Sequence, residues 1–223
     1  MRRHTTSMIG AVAIAALLAA CGGSTAAPPS TNTPTTPAVT PTQPSGHTTS
    51  PTPTQSPVPT ESPVAIESNP PGDIPDNTAY VPYTSSAGGF KISVPEGWAR
   101  STTKTSVTFT DKLNTVVVSW QPATTAPTVA TAKSTEVPAL KAATRAFQLK
   151  SVSTASLPAG PTVLIEYQAN SDPNPVTGKQ YRLDVLRYEL YKSGSEVAIT
   201  LLSPVGADNV DPWRIITESY AWS

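Results

Sequence analysis

Cysteine and histidine are almost absent from this chain of 223 residues, which contains one cysteine and two histidines. These are Cys21, His4 and His47, so residues 90–223 contain neither residue type. Ser-His-Asp and Cys-His catalysis, zinc sites with their usual ligands and redox dithiols all need such side chains. No glycine-rich phosphate loop or dinucleotide fingerprint is present either. The sequence therefore excludes these chemistries from its C-terminal part, and we expect no enzymatic activity, no cofactor and no metal site.

Charged residues are also few, at 13% of the chain, with 15 basic and 15 acidic side chains. Leaving out Arg2, Arg3 and the four acidic residues before position 90, residues 90–223 hold 13 basic and 11 acidic side chains. The resulting net charge of +2 produces too weak a field to attract nucleic acid. We therefore expect no nucleic-acid partner.

The N-terminus has the features of an export signal over residues 1–20. Arg2 and Arg3 precede an apolar run of 13 residues from Met8 to Ala20. As a helix, this run would span about 20 Å, which is shorter than the bilayer core of about 30 Å. Its length and its small C-terminal side chains favour a signal peptide over a membrane-spanning helix.

The residues Leu18-Ala19-Ala20-Cys21 resemble the lipobox of bacterial lipoproteins, in which cleavage precedes a cysteine that is then acylated. This resemblance implies lipidation at Cys21 and attachment to the extracytoplasmic face of the cell membrane. A diacylglyceryl group would supply two acyl chains, the number that stable anchoring requires. The alternatives are an ordinary signal peptide, which would release a secreted protein, and an uncleaved anchor.

Residues 21–89 are rich in proline, threonine and serine and contain few large apolar side chains. This composition buries too little surface to offset the entropy of folding, about 1–2 kcal/mol per backbone residue. We therefore predict a disordered tether that holds the following domain away from the membrane. An O-glycosylated stalk and a plain linker both fit the composition.

Residues 90–223 contain several segments in which apolar and polar side chains alternate, a pattern that predicts β-strands. The predicted strands are Phe90–Val94, Val107–Phe109, Val116–Trp120, Val163–Gln168, Tyr181–Tyr191 and Val197–Leu201. Short polar connections at Asp111–Asn114 and Lys192–Ser195 predict hairpins. Tyr181–Tyr191 carries apolar residues on both faces, so we expect its second half to be buried on both sides rather than bulged.

Two helices are predicted around these strands. The first contains apolar residues at helical spacing from Val137 to Phe147, with Ser134 or Thr135 as its N-cap. Asp211-Pro212 predicts the start of a closing helix, which buries Trp213. This order of elements indicates an α+β fold, an antiparallel sheet with helices packed on its faces, over residues 90–223.

The segment from Gly89 to Trp98 is similar to the opening strand of PsbP-like domains, which often begins F-x-I-x-x-P-x-G-W. A later hairpin over residues 181–204, followed by Asp211-Pro212-Trp213 and a helix, also resembles that family. The resemblance implies an α/β/α sandwich around an antiparallel sheet. The family includes photosystem extrinsic subunits, a Ran-binding import factor and actinobacterial envelope lipoproteins. The resemblance thus implies protein binding in general and no particular activity.

The loops are the best candidates for binding, because helices should cover the faces of the sheet. Thr124–Lys133 and Ser171–Lys179 are rich in proline and threonine and lack a core pattern. In the second loop we predict Asp172, Asn174 and Lys179 as partner-binding residues. The alternative for this loop is a structural turn, in which Asp and Asn side chains bond to their own backbone.

Three carboxylates on predicted strands, Glu166, Asp184 and Glu189, are candidates for hydrolase chemistry. Ion pairing with Arg182 or Arg187 explains them better. The sequence therefore predicts a membrane-anchored envelope lipoprotein whose domain binds or supports another envelope protein without catalysis. The main alternative is a binding module for a cell-wall polysaccharide or small lipid, which an apolar pocket lined by Trp98, Trp120 or Tyr181 would favour.

Overall fold

Ten β-strands and three short α-helices form the fold over residues 61–223, the part of the chain that the computed structural model describes. The strands are β1 (Tyr80–Ser85), β2 (Phe90–Pro95), β3 (Ala99–Thr102), β4 (Ser106–Asp111), β5 (Asn114–Pro122), β6 (Gln148–Leu157), β7 (Gly160–Asn170), β8 (Arg182–Lys192), β9 (Ser195–Pro204) and β10 (Ala221–Trp222). The helices are α1 (Val129–Thr131), α2 (Val137–Ala143) and α3 (Val210–Glu218), and a π-helical segment (Ala132–Glu136) joins α1 to α2. Among these residues, no helix combines the length and apolar character needed to cross a membrane.

The strands form two antiparallel sheets. The large sheet has the order β3-β4-β5-β9-β8-β7-β6, and the small sheet has the order β1-β2-β10. Both predicted hairpins are present, as β4-β5 and β8-β9. The β8-β9 turn closes between Lys192 and Ser195, with φ values of +49° at Ser193 and +86° at Gly194. Two successive left-handed residues are the requirement of a tight two-residue turn, which the glycine satisfies without strain.

Two clusters of buried apolar residues lie on opposite faces of the large sheet and create three layers. On one face, α3 and the small sheet pack against β5, through residues such as Ile216, Phe90 and Val118. On the other face, the π segment and α2 pack against β7 and β8, where Tyr167 and Val185 are buried. This arrangement confirms the predicted α+β fold with an antiparallel sheet between helical layers. The opening strand β2 lies in the small sheet rather than in the large one.

Strand β8 shows how one strand serves both layers. Leu183 and Val185 belong to the cluster below α2, whereas Leu190 belongs to the cluster below α3. The pairing of β8 with β7 and β9 runs without a register shift, so the strand contains no bulge. Burial on both faces therefore explains its phase change, as predicted.

Both helical segments begin earlier than the sequence predicts. Helix α1 begins at Val129 with a Thr128–Thr131 capping box, rather than after Ser134 or Thr135. Helix α3 begins at Val210, so Asp211 lies in its first turn and Asn209 takes the N-cap position. The Asn209 side chain does not cap the helix. Its Oδ1 instead accepts a hydrogen bond from the Ile74 N–H at 2.8 Å, so capping preferences could not identify Asn209 as the N-cap.

The folded part also extends further toward the N-terminus than the predicted boundary at residue 89. Strand β1 pairs along its whole length with β2, and Ile74 is 5% exposed. A few apolar residues among many prolines therefore suffice to dock this segment, because β2 offers an unpaired edge and a buried face. We call residues 61–79 the N-terminal arm. The predicted signal peptide, Cys21 and the predicted tether up to Thr60 lie outside the described residues.

Candidate binding cleft

A cleft of about 790 Å³ opens on the face of the large sheet that carries α2. Helix α2 ends at Ala143, and beyond it no helix of residues 61–223 covers this face. Seven strands spaced about 4.8 Å apart make a sheet that one short helix cannot cover. The volume lies in the range of small-molecule pockets, about 300–1,000 Å³. The cleft therefore follows from the mismatch between a wide sheet and a short helical layer.

The floor of the cleft is a row of four residues on neighbouring strands. Thr115 of β5 lies opposite Leu202 of β9, Leu202 lies opposite Val185 of β8, and Val185 lies opposite Tyr167 of β7. All four line the cleft. Burial raises the pKa of the Tyr167 hydroxyl, although Arg187 opposes this effect, so Tyr167 stays neutral. The floor therefore presents apolar and aromatic surface.

The rim is polar and consists of the β4-β5 turn, the segment after α2 and the loop 171–179. Lys112, Arg145, Asp172 and Lys179 are its charged residues. Arg145 pairs with Glu61 at 3.2 Å and with Asp172 at 3.1 Å, and Lys179 pairs with Glu67 at 2.6 Å. Lys112 makes only a 3.8 Å contact with its neighbour Asp111, and its side chain is 81% exposed. Lys112 is therefore the rim cation that is most accessible to an incoming ligand.

The structure brings all three predicted partner-binding residues together on this rim, because Asp172, Asn174 and Lys179 all line the cleft. Asn174 also has a structural role. Its Oδ1 accepts hydrogen bonds from the N–H groups of Val176 and Thr177, both at 3.0 Å. This is an Asx-type turn, so the structural alternative describes Asn174 correctly.

Asp172 and Lys179 have different surroundings from Asn174. The Asp172 side chain is 93% exposed and contacts only Arg145 among the described residues. The Lys179 ammonium lies 4.5 Å from the centre of the Tyr181 ring, and its hydrogen bond to Glu67 chiefly raises its pKa. Asp172 is thus free to meet a partner, whereas a partner must compete with Glu67 for Lys179.

The other candidate residues lie away from the cleft or in structural pairs. Trp98 packs edge-on against Trp213, and Trp120 packs against Phe90. Of the three aromatic residues named for a ligand pocket, Tyr181 alone lines the cleft. Asp184 accepts from Lys150 at 2.8 Å, and Glu189 accepts from Arg187 at 2.9 Å.

Arg182 makes none of the ion pairs expected of it and instead binds neutral acceptors. It donates to the Ala146 carbonyl at 2.8 Å, to Asn170 at 3.1 Å and to Gln148 at 3.1 Å. Asn170 lines the cleft, so Arg182 supports its wall from behind. Ion pairing by Arg187 was predicted correctly and ion pairing by Arg182 was not.

Sequence reasoning missed the floor residues and Arg145. Tyr167, Val185 and Leu202 have the alternating pattern of core strands, and nothing local distinguishes the buried Tyr167 and Val185 from the partly exposed Leu202. One signal was present, since the run Val197–Leu202 is apolar on both faces while only two helices were predicted to cover the sheet. The cleft lies where that helical cover ends.

Comparison with known proteins gives a match of fold but not of sequence. No protein-family model and no curated protein matches the sequence. The solution structure of cyanobacterial PsbP (CyanoP) from Synechocystis matches with a TM-score of 0.51 at 13% identity, covering 70% of this chain and 100% of that one.

Two more distant structures also match. The Ran-binding protein Mog1p of Saccharomyces cerevisiae has a TM-score of 0.43 at 10% identity and covers 65% of this chain and 95% of its own. LpqN of Mycobacterium tuberculosis, described as involved in cell envelope biogenesis, has a TM-score of 0.42 at 14% identity and covers 66% and 91%.

The architecture defines an antiparallel α+β sandwich with a cleft where its helical layer ends. Its likeness to CyanoP identifies the particular fold as PsbP-like. At this identity, the comparison establishes the fold and nothing more.

Proposed function

We propose that this protein is a lipid-anchored envelope lipoprotein whose PsbP-like domain binds another envelope protein in the cleft, without catalysis. The observation that carries this proposal is the cleft itself, with its apolar floor and its polar rim. An apolar centre surrounded by polar groups is the usual composition of a binding site for a protein segment. The rim contains the three residues that the sequence predicts as partner-binding: Asp172, Asn174 and Lys179.

The anchoring part of the proposal is supported by the lipobox-like residues Leu18–Cys21. The 39 residues between Cys21 and Glu61 could span at most about 130 Å when fully extended. Glu61 is bound to Arg145 at the cleft rim. The tether therefore enters the domain beside the cleft, and its length sets how far from the membrane the partner is met.

The test is photo-crosslinking in intact cells from two matched positions. Val176 lies on the loop of the cleft rim and is 91% exposed, whereas Val210 lies at the start of α3 and is 75% exposed. A photoreactive residue at position 176 should capture an envelope protein that position 210 does not capture. Capture of the same set of proteins from both positions would contradict binding in the cleft.

The presence of Tyr181 and Tyr167 in the cleft favours a second candidate function, the binding of a small lipid. Aromatic walls of this kind bury a large apolar area and offer hydroxyl groups at the edge. The protein purified from its own membranes should then carry a lipid that organic extraction and mass spectrometry detect. Filling the floor with Thr115→Trp should remove that lipid, while Val210→Trp should leave it in place.

A further inference from the structure

A second cavity, of about 440 Å³, lies beside the π-helical segment and is separate from the cleft described above. We call it the acidic cavity, because Glu136, Glu189 and Glu196 all line it. Its outer wall is the segment from Pro122 to Pro127, which overlaps Thr124–Lys133, the other proline- and threonine-rich loop that the sequence singles out. The proposed function makes no use of this site.

Glu189 is the unusual residue of the cavity. Its side chain is completely buried, and its Oε1 accepts a hydrogen bond from Arg187 Nε at 2.9 Å. Its Oε2 is buried and has no hydrogen-bond partner among the described residues. Leaving a buried carboxylate oxygen unpaired is costly, so native structures almost always provide it with a donor. Since Glu189 lines the cavity, its unpaired oxygen is the candidate acceptor for a donor that comes from outside the domain.

The charges around Glu189 indicate that this donor is positively charged. Arg187 is the one cation among the groups that shift the pKa of Glu189, against Glu136 and Glu196. Arg187 lies 4.0 Å from Glu136, and among residues 61–223 Glu196 accepts a hydrogen bond only from the neutral Gln121 amide, at 3.4 Å. Desolvation and the charge of Glu136 together raise the pKa of both Glu189 and Glu196. One guanidinium therefore faces three carboxylates, and the site has an excess of negative charge.

Hydrogen bonds to the backbone of the wall segment fix the shape of the acidic cavity. The Ala123 N–H donates to the Gly194 carbonyl at 2.9 Å, and the Tyr191 hydroxyl donates to the Thr124 carbonyl at 3.4 Å. At the other end of the loop, Thr128 and Thr131 cap α1 reciprocally. Pro122 and Pro127 stiffen the wall between these points. A ligand would therefore meet a formed site.

We propose that the acidic cavity binds the ammonium group of a lysine side chain that another protein supplies. A compact ammonium has three N–H donors and can satisfy Glu189 Oε2 while it lies among the other carboxylates. A guanidinium fits less well, because it prefers both oxygens of one carboxylate and Arg187 already takes Glu189 Oε1. Among residues 61–223, no acidic cluster is arranged to hold a metal ion.

The walls and the sequence support this choice of ligand. The proline, alanine and threonine side chains of residues 122–127 offer apolar surface to the aliphatic stem of a lysine. Residues 21–60 contain neither lysine nor arginine, so the preceding tether cannot supply the group. The lysine is therefore assigned to another protein rather than to the tether.

The test uses the acylated mature chain in a nonionic detergent and saturation-transfer NMR. The probe is Nα-acetyl-lysinamide, and the control probe is the same compound with an acetylated ε-amine. The first probe should show saturation of its side-chain methylene groups at constant ionic strength. Acetylation should weaken binding about tenfold or more, because it removes the charge and two of the three donors.

Variants locate the site. Glu189→Gln and Glu196→Gln should each weaken the probe about tenfold, whereas Glu218→Gln on the exposed face of α3 should leave binding unchanged. Ala126→Trp, which places a large side chain at the outer wall of the cavity, should also abolish the signal. This variant tests the site if Glu189→Gln does not fold. Equal signals from both probes, or an unchanged signal in Glu196→Gln and Ala126→Trp, would overturn the proposal. Neither result bears on the cleft that the proposed function uses.

Discussion

The Glu61 carboxylate accepts a hydrogen bond from the Arg145 guanidinium at 3.2 Å, across 84 residues of sequence. The other oxygen of Glu61 accepts from the side-chain amides of Asn170 and Gln180, both at 3.1 Å. Asn170 in turn accepts the Val64 N–H at 3.1 Å. The start of the N-terminal arm is thus bound by three separate segments that meet at the cleft rim. The N-terminal arm is therefore held to the domain at this point.

Replacing Glu61 with glutamine should loosen the arm without unfolding the domain. The change removes a charge-assisted hydrogen bond between two mostly buried side chains, which contributes about 1–2 kcal/mol. Hydrogen exchange at the Val64 amide should therefore become about tenfold faster or more. The matched control is Glu218→Gln, which breaks an exposed pair with Arg214 and should leave Val64 unaffected. Unchanged exchange at Val64 would show that the arm is held by other contacts.

Truncation should show that the N-terminal arm contributes to the stability of the domain. Removing residues 22–60 should leave the melting temperature unchanged, because the contacts that the structure describes lie within residues 61–223. Removing residues 22–79 takes away Ile74, which is 5% exposed and donates its N–H to Asn209. The loss of one buried aliphatic side chain costs about 2–5 kcal/mol. Equal melting temperatures for the two truncations would mean that the arm adds nothing to stability.

Trp213→Ala should destabilise the domain by about 3–5 kcal/mol, as truncation of a large aromatic side chain in a core does. Trp213 is 7% exposed and packs edge-on against Trp98 at 6.5 Å. Ile215→Ala on the same helix is the control, since Ile215 is 38% exposed and its loss should cost less than about 1 kcal/mol. Urea unfolding measures both values. Similar losses for the two variants would contradict the burial of Trp213.

The central strands could be predicted from the sequence because their own alternation determines which side chains are buried. Strands β3 and β6 escaped prediction, since they are the edges of the large sheet and expose most of their residues. Strand β1 escaped because its tyrosines lie among prolines, in a composition typical of disorder. Pairing with β2 decides its structure, and that contact is not visible in local sequence.

The rim of the cleft was predictable and its floor was not. The loop 171–179 has no core pattern, so its exposure follows from its own residues. Leu202 is an apolar strand residue that is partly exposed, and its accessibility depends on where α2 ends, far earlier in the chain. The pairing of Glu61 with Arg145 is likewise a property of the folded chain only.

Cys21→Ala should release the mature protein from the membrane fraction or leave it as the unprocessed precursor. The prediction follows from the resemblance to a lipobox, which implies that the cysteine is the acylation site and that two acyl chains would provide the anchoring energy. Membrane fractionation with immunoblotting measures both the location and the size of the product. A substitution of the nearby Ser24 by alanine should change neither. A Cys21→Ala protein of mature size in the membrane fraction would contradict lipidation at Cys21.

Stability should fall as the pH rises from the ordinary pKa of Glu189, 4.5, toward neutrality. Desolvation raises the pKa of Glu189 in the folded state, and Arg187 offsets this only in part. A carboxyl group whose pKa is higher when folded binds more protons in the folded state between its unfolded and folded values, so the free energy of unfolding decreases across that interval. Glu189→Gln cannot ionise and should lose less stability over the same range, although Glu196 contributes in the same direction.

Urea unfolding of the wild type and of Glu189→Gln at several pH values measures this difference. Glu218→Gln is the control, because it removes an exposed carboxylate that lies outside the acidic cavity. The difference in the free energy of unfolding between the wild type and Glu189→Gln should change steadily with pH. As the pH rises, the variant should become more stable relative to the wild type. A gap independent of pH would show that Glu189 titrates alike in the folded and unfolded protein, and that its burial is relieved by a donor such as bound water.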